Sequence, residues 1–192
     1  MAIATPPRPP VFNVPNQLTA VRFGLALVLF ALIAADQWLV ALGIFALAAF
    51  TDWLDGYVAR KQGISSTLGR NLDPLVDKVL ICGAYIFLIP KEHANIAPWM
   101  VTVMVARELI ITGLRSFMEN MGATFGADWL GKIKMGLQCA ALVAIFVALQ
   151  WVEIAFFEWV RDILIYAMLA VTALSGLQYV WRSFALLKNS DV

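Results

Sequence analysis

The chain has a single histidine, His93, and only two cysteines, Cys82 and Cys139, among 192 residues. One histidine excludes a histidine-rich zinc centre and leaves almost no scope for a histidine general base. The two cysteines sit inside apolar runs, which excludes a disulfide framework and reads as two small buried hydrophobes. Charge is scarce as well: 14% of residues are Asp, Glu, Lys or Arg, with a net of +1. No basic run interleaved with aromatics occurs, so nucleic acid is not an implied partner. There is no internal repeat, and low complexity is confined to Pro6, Pro7, Pro9 and Pro10.

What is abundant is apolar surface. The chain is 61% hydrophobic with a mean hydropathy of +0.80, well above the roughly half-apolar soluble norm, so its outside must face lipid. At about 20 residues per span, the length predicts an all-α integral membrane protein of six transmembrane helices without a separate soluble domain. The spans are placed near residues 16–35, 38–60, 68–90, 96–119, 130–152 and 158–184. Residues 1–12 read as a disordered proline-rich lead-in, 13–186 as one membrane domain and 187–192 as a C-terminal tail. A signal peptide with an apolar core over 23–35 is the competing reading of the start. Its positive region is weak, and cleavage at Ala34 or Ala35 would leave almost no loop before the next span.

Charge asymmetry predicts the orientation. Twelve of the 14 Lys and Arg lie in or near the termini, the turn in the 60s and the stretch around 120–134, leaving Lys91 and Arg161 opposite. By the positive-inside rule both termini are cytoplasmic. Trp38, Trp99, Trp151, Trp159 and Trp181 fall near predicted span ends, as an interfacial belt requires.

Against this apolar background stand four carboxylates. At 100° per residue Asp52, Asp55, Gly56, Ala59 and Arg60 share one connected face of the second helix, and Gly69, Asp73 and Asp77 form a stripe on the third. An antiparallel pair about the turn at 61–67 brings Asp52 level with Asp77 and Asp55 level with Asp73. Each ionised Asp at membrane depth costs about 2.5–3.5 kcal/mol, and four together repel. Two divalent cations cancel the formal charge of four carboxylates, and oxygen-only ligation favours Mg²⁺ or Mn²⁺. Paired hard cations suit phosphoryl transfer on a diphosphate. Small residues on the same faces leave room for a nucleotide, although small residues also serve plain helix packing.

The pattern Asp52-x2-Asp55-Gly56-x2-Ala59-Arg60-x8-Gly69-x3-Asp73-x3-Asp77 resembles the complete signature of the CDP-alcohol phosphatidyltransferases. The resemblance implies homodimers using two Mg²⁺ or Mn²⁺ ions, with Asp52, Asp55, Asp73 and Asp77 as metal ligands and Asp77 also as the catalytic base. It further implies that CDP-diacylglycerol lies along Asp55, Gly56, Ala59, Arg60 and Gly69. The stretches 13–22, 51–60, 72–78, 106–115 and 131–134 extend it towards the bacterial branch whose acceptor is sn-glycerol 3-phosphate, in the inner (cytoplasmic) membrane. Met135 departs from that branch, where threonine is usual.

The acceptor's phosphate calls for cations, and the candidates are Arg107, Arg115, Lys132 and Lys134. Arg107 and Arg115 are eight residues apart, broadly on one helix face, and Glu108 is placed to steady one of them. Plain snorkelling to the headgroup region is the alternative for each. Arg22 reads as a diphosphate contact at the cleft mouth or as an anchor, and Asn16 as a helix cap. Inositol phosphate is the closest rival acceptor, since it too carries a phosphate. A cation transporter is the rival from another class; the sequence has no inverted repeat or broken helix to support it.

Overall fold

The computed structural model describes the backbone of residues 14–62, 67–121 and 129–190, and the side chains of 17–52, 74–118, 120–121 and 129–183. Six α-helices and one 3₁₀ turn, with no strand, make up the described residues. They are α1 (Val14–Ala34), α2 (Trp38–Gln62), α3 (Thr67–Leu88), α4 (Pro98–Asn120), α5 (Trp129–Gln150) and α6 (Ala155–Ser190), with the 3₁₀ turn Glu92–Ala94 between α3 and α4. Each predicted span corresponds to one helix. The largest differences are at α6, which starts at Ala155 and continues through Ser190, so residues 187–190, read from the sequence as tail, carry on the helix. The lead-in 1–12 lies outside the described residues.

The boundaries have local causes. Pro98 opens α4 at a position where its missing N–H costs nothing, and Pro90 follows the end of α3. The α1–α2 corner closes with Asp36 in the left-handed region at φ 57°. There Asp36 N–H donates to Ile33 O at 3.2 Å and Gln37 N–H to Leu32 O at 2.9 Å, the paired bonds of a Schellman ending. Pro74 stands inside α3, where the missing donor frees one carbonyl of the preceding turn three residues before Asp77.

α1 packs against both α2 and α3, α5 lies against α2 and α6, and α4 bridges α3 and α6. Ala26, Leu29 and Ile33 of α1 and Leu80, Ala84 and Leu88 of α3 are buried in the resulting core, with Leu142, Ile145 and Phe146 of α5. One close approach depends on glycine: a Cβ at Gly83 would fall 2.2 Å from the Phe30 ring, which stacks on Phe87 at 5.1 Å.

Large apolar side chains also cover the outside, among them Leu27, Val40, Phe50, Leu109, Ile110 and Leu177. Segments Gln17–Ala34, Trp129–Gln150 and Ala155–Ser183 are long and apolar enough to cross a membrane, and Trp38–Asp52 is a shorter apolar stretch. A soluble fold would not leave this much apolar area in water. The chain is a multi-pass membrane protein.

The two cations that break the charge asymmetry are both neutralised locally. Lys91 pairs with Asp36 at 2.6 Å, donates to Ala34 O at the end of α1 and lies over the Trp38 ring. Arg161 is buried, pairs with Asp162 at 2.8 Å and donates to the His93 carbonyl. Both serve to tie loops to helix ends, which explains why they sit opposite the other basic residues.

Candidate active site

Three helices meet at one guanidinium. Arg22 of α1 is 1% exposed. Its Nη2 lies 3.0 Å from Asp52 Oδ1 on α2, and its Nη1 donates to Asp77 Oδ1 on α3 at 2.9 Å. The sequence weighed Arg22 as a diphosphate contact or an anchor, and its described partners are the two aspartates themselves. The fork of Arg reaches two carboxylates at once, which a lysine ammonium does less well. Arg22 Nε is buried and has no hydrogen-bond partner among the described residues. Asp52 and Asp77 remain partly open to their surroundings.

α2 and α3 are continuous helices through Asp55, Gly56, Ala59 and Arg60 and through Gly69 and Asp73. The side chains of these six lie outside the described residues. No three of His, Cys, Asp and Glu form a cluster among the described residues. The pair that is described fits a hard divalent cation in kind: carboxylate oxygens from two helices that meet at one guanidinium. Cys82 and Cys139 are free and half-buried, and His93 lies on the loop between α3 and α4.

Next to Asp77 is a cavity of about 180 Å³ between α3, α4 and α5. Its wall includes Asp77, Lys78, Glu108, Lys134, Met135 and Gln138. Glu108 and Lys134 are both buried. Glu108 Oε1 accepts from Lys134 Nζ and, at 3.1 Å, from Arg107 Nη1. Burying a lone carboxylate or ammonium at this depth would be costly, and the shared contact offsets part of that cost. Lys78 donates to Thr112 Oγ1, whose own hydroxyl donates to Glu108 O at 2.6 Å.

The other basic candidates lie around this wall. Arg107 also donates from Nη2 to Ser175 Oγ at 3.0 Å, and Arg115 from Nε to Tyr179 Oη at 3.1 Å, so two arginines of α4 reach hydroxyls one turn apart on α6. Arg107 and Arg115 are not among the cavity's lining residues, and Lys132 is exposed on α5. Sequence reasoning noted Lys78 beside the last two aspartates without giving it a role, and passed over Thr112 and Gln138. A usable signal existed in the first two: Lys78 directly follows Asp77, and Thr112 is one turn after Glu108. Met135, the departure from the usual threonine, stands in the cavity wall.

The family model described as CDP-alcohol phosphatidyltransferase matches residues 12–180. A Bacillus subtilis (strain 168) protein named CDP-diacylglycerol–glycerol-3-phosphate 3-phosphatidyltransferase is 32% identical over 94% of this chain and 100% of its own length. Proteins of the same name from Salmonella typhimurium and Shigella flexneri are each 35% identical, over 88% of this chain and 93% of theirs.

Proposed function

The chain belongs to the CDP-alcohol phosphatidyltransferase family, and we propose that it transfers the phosphatidyl group of CDP-diacylglycerol to sn-glycerol 3-phosphate. The products are phosphatidylglycerophosphate and CMP. What carries this reading is identity of 32–35% along nearly the full length of relatives bearing that name. The meeting of Asp52 and Asp77 at Arg22, beside a small cavity, supports it.

In the reaction, the primary hydroxyl oxygen of the acceptor bonds to the diacylglycerol-linked phosphorus, and the bond from that phosphorus to CMP breaks. CMP leaves with the electron pair. Asp77 takes the hydroxyl proton, since its carboxylate stands in the cavity wall and no histidine competes for the role. Asp52, Asp55, Asp73 and Asp77 would hold two Mg²⁺ or Mn²⁺ ions, which when bound neutralise diphosphate charge and favour loss of CMP. Asp55, Gly56, Ala59, Arg60 and Gly69 line the path of the cytidine diphosphate. Cations of α4 and α5 surround the place of the acceptor's phosphate, with Lys134 in the cavity wall and Arg107, Arg115 and Lys132 around it.

Six spans, both termini and the cleft on the cytoplasmic side of a bacterial inner membrane, and a homodimeric state complete the proposal. The excess of basic residues around the termini and around the turns at 61–67 and 120–134 supports that orientation.

The test is product identification. Purified protein given labelled CDP-diacylglycerol, Mg²⁺ or Mn²⁺ and one candidate acceptor at a time should release CMP and form phosphatidylglycerophosphate with glycerol 3-phosphate. A lipid product formed instead from inositol phosphate would replace the acceptor assignment. Cation flux without CMP release would remove the enzyme from consideration.

A further inference from the structure

The charges around the cavity divide unevenly. On one side Arg22 is shared by Asp52 and Asp77. Across the cavity Glu108 is shared by Arg107 and Lys134, leaving one positive charge. Lys78 adds a second positive charge, because its bonded partner among the described residues is the neutral hydroxyl of Thr112.

The Thr112 hydroxyl is committed twice, donating to Glu108 O and accepting from Lys78. It therefore fixes the ammonium while using one of its three N–H donors. Two donors remain. Lys78 and Asp77 are consecutive in α3 and both line the cavity. At about 180 Å³ the space is smaller than the roughly 300–1,000 Å³ of drug-sized pockets, so it has room for a small molecule and not for a nucleotide with lipid chains. A phosphate dianion suits the Lys78 ammonium entering this space from α3 beside Lys134 from α5, and a hydroxyl on the same molecule reaches towards Asp77.

We infer that Lys78, held by Thr112, binds the phosphate of the small phosphorylated acceptor and selects acceptors that carry one. The inference rests on the transferase reading above. It assigns the principal phosphate contact to a residue of α3, whereas Lys134 is already committed to Glu108.

The experiment compares Lys78→Met and Lys78→Arg with the unsubstituted protein, each purified and assayed with CDP-diacylglycerol and Mg²⁺. For Lys78→Met, KM for glycerol 3-phosphate should rise roughly tenfold to a hundredfold, the usual worth of a hydrogen bond to a charged group. KM for CDP-diacylglycerol should stay within about twofold, and Lys78→Arg should recover most of the loss, because it keeps charge and donors. Inorganic phosphate should compete with glycerol 3-phosphate in the unsubstituted protein and more weakly in Lys78→Met.

An unchanged KM for glycerol 3-phosphate, or equal rises for both substrates, would overturn the inference. If Lys78→Met is inactive, thermal unfolding decides: stabilisation by CDP-diacylglycerol but not by glycerol 3-phosphate supports the role. Stabilisation by glycerol 3-phosphate as in the unsubstituted protein, or by neither ligand, makes Lys78 merely structural and sinks it. An unsubstituted protein that makes no phosphatidylglycerophosphate is a separate result, which fails the transferase reading itself.

Discussion

Arg22 and Asp77 are 55 residues apart, on α1 and α3, and meet at 2.9 Å. The same guanidinium lies 3.0 Å from Asp52 on α2. A buried cation therefore holds together two acids that would otherwise repel, at the place where the family signature gathers its carboxylates.

Removing that cation is the most direct probe of the arrangement. Arg22→Met should destabilise the protein by roughly 1–3 kcal/mol, less than for a fully buried pair, because the Asp52 and Asp77 carboxylates it leaves behind are partly open to their surroundings. Added Mg²⁺ should recover part of the loss, since it supplies positive charge to the same carboxylates. Thermal midpoints with and without excess Mg²⁺ measure this, and a variant as stable as the parent in both conditions would contradict it.

Asp77→Asn removes the proton acceptor while preserving shape. Turnover should fall by about 10²–10⁴, the usual contribution of a positioned base, while CDP-diacylglycerol still binds. CMP release and lipid-binding isotherms on the same preparation separate the two quantities. Substantial residual activity would reassign the base.

Metal dependence should be complete. Excess chelator is expected to abolish CMP release, and Mg²⁺ or Mn²⁺ to restore it, because four carboxylates concentrated on two helices need compensating charge at the site. Equal activity in chelator would overturn the ligand assignment of Asp52, Asp55, Asp73 and Asp77.

Gly83 tests packing away from the chemistry. Its missing Cβ makes room for the Phe30 ring, 2.2 Å from where that carbon would be. Gly83→Ala should cost about 1–3 kcal/mol, as overpacking does, by forcing the ring off its stack on Phe87. KM values should not change, so denaturation and kinetics together distinguish this effect from damage at the site.

Much of the architecture was legible because lipid imposes a simple rule. Apolar runs of about 20 residues must become helices whose backbone bonds are satisfied internally, so six helices could be placed within a few residues at most ends. α6 ran on past its predicted limit because a helix has no reason to stop where the bilayer does. Asp52 and Asp77 could be brought level from periodicity alone, since a fixed rotation per residue and a short turn set their heights.

The partners of the basic residues were another matter. Periodicity places Arg107 and Arg115 on one face of α4 but says nothing of the Ser175 and Tyr179 hydroxyls they reach on α6. Nothing local marks Arg22 as the bridge between two aspartates; the Arg107–Glu108 contact was placed from adjacency, but Lys134 as its second cation was not.

The sequence by itself determined the solvent, the helices and the faces on which the acids stand, because hydropathy and helical rotation are properties of neighbouring residues. Only the tertiary structure decided which cation answers which acid and which lysine is left over to meet a substrate. Arg22 meets Asp77 across 55 positions and Lys134 meets Glu108 across 26, and at that separation contact depends on how whole helices pack, not on any local repeat.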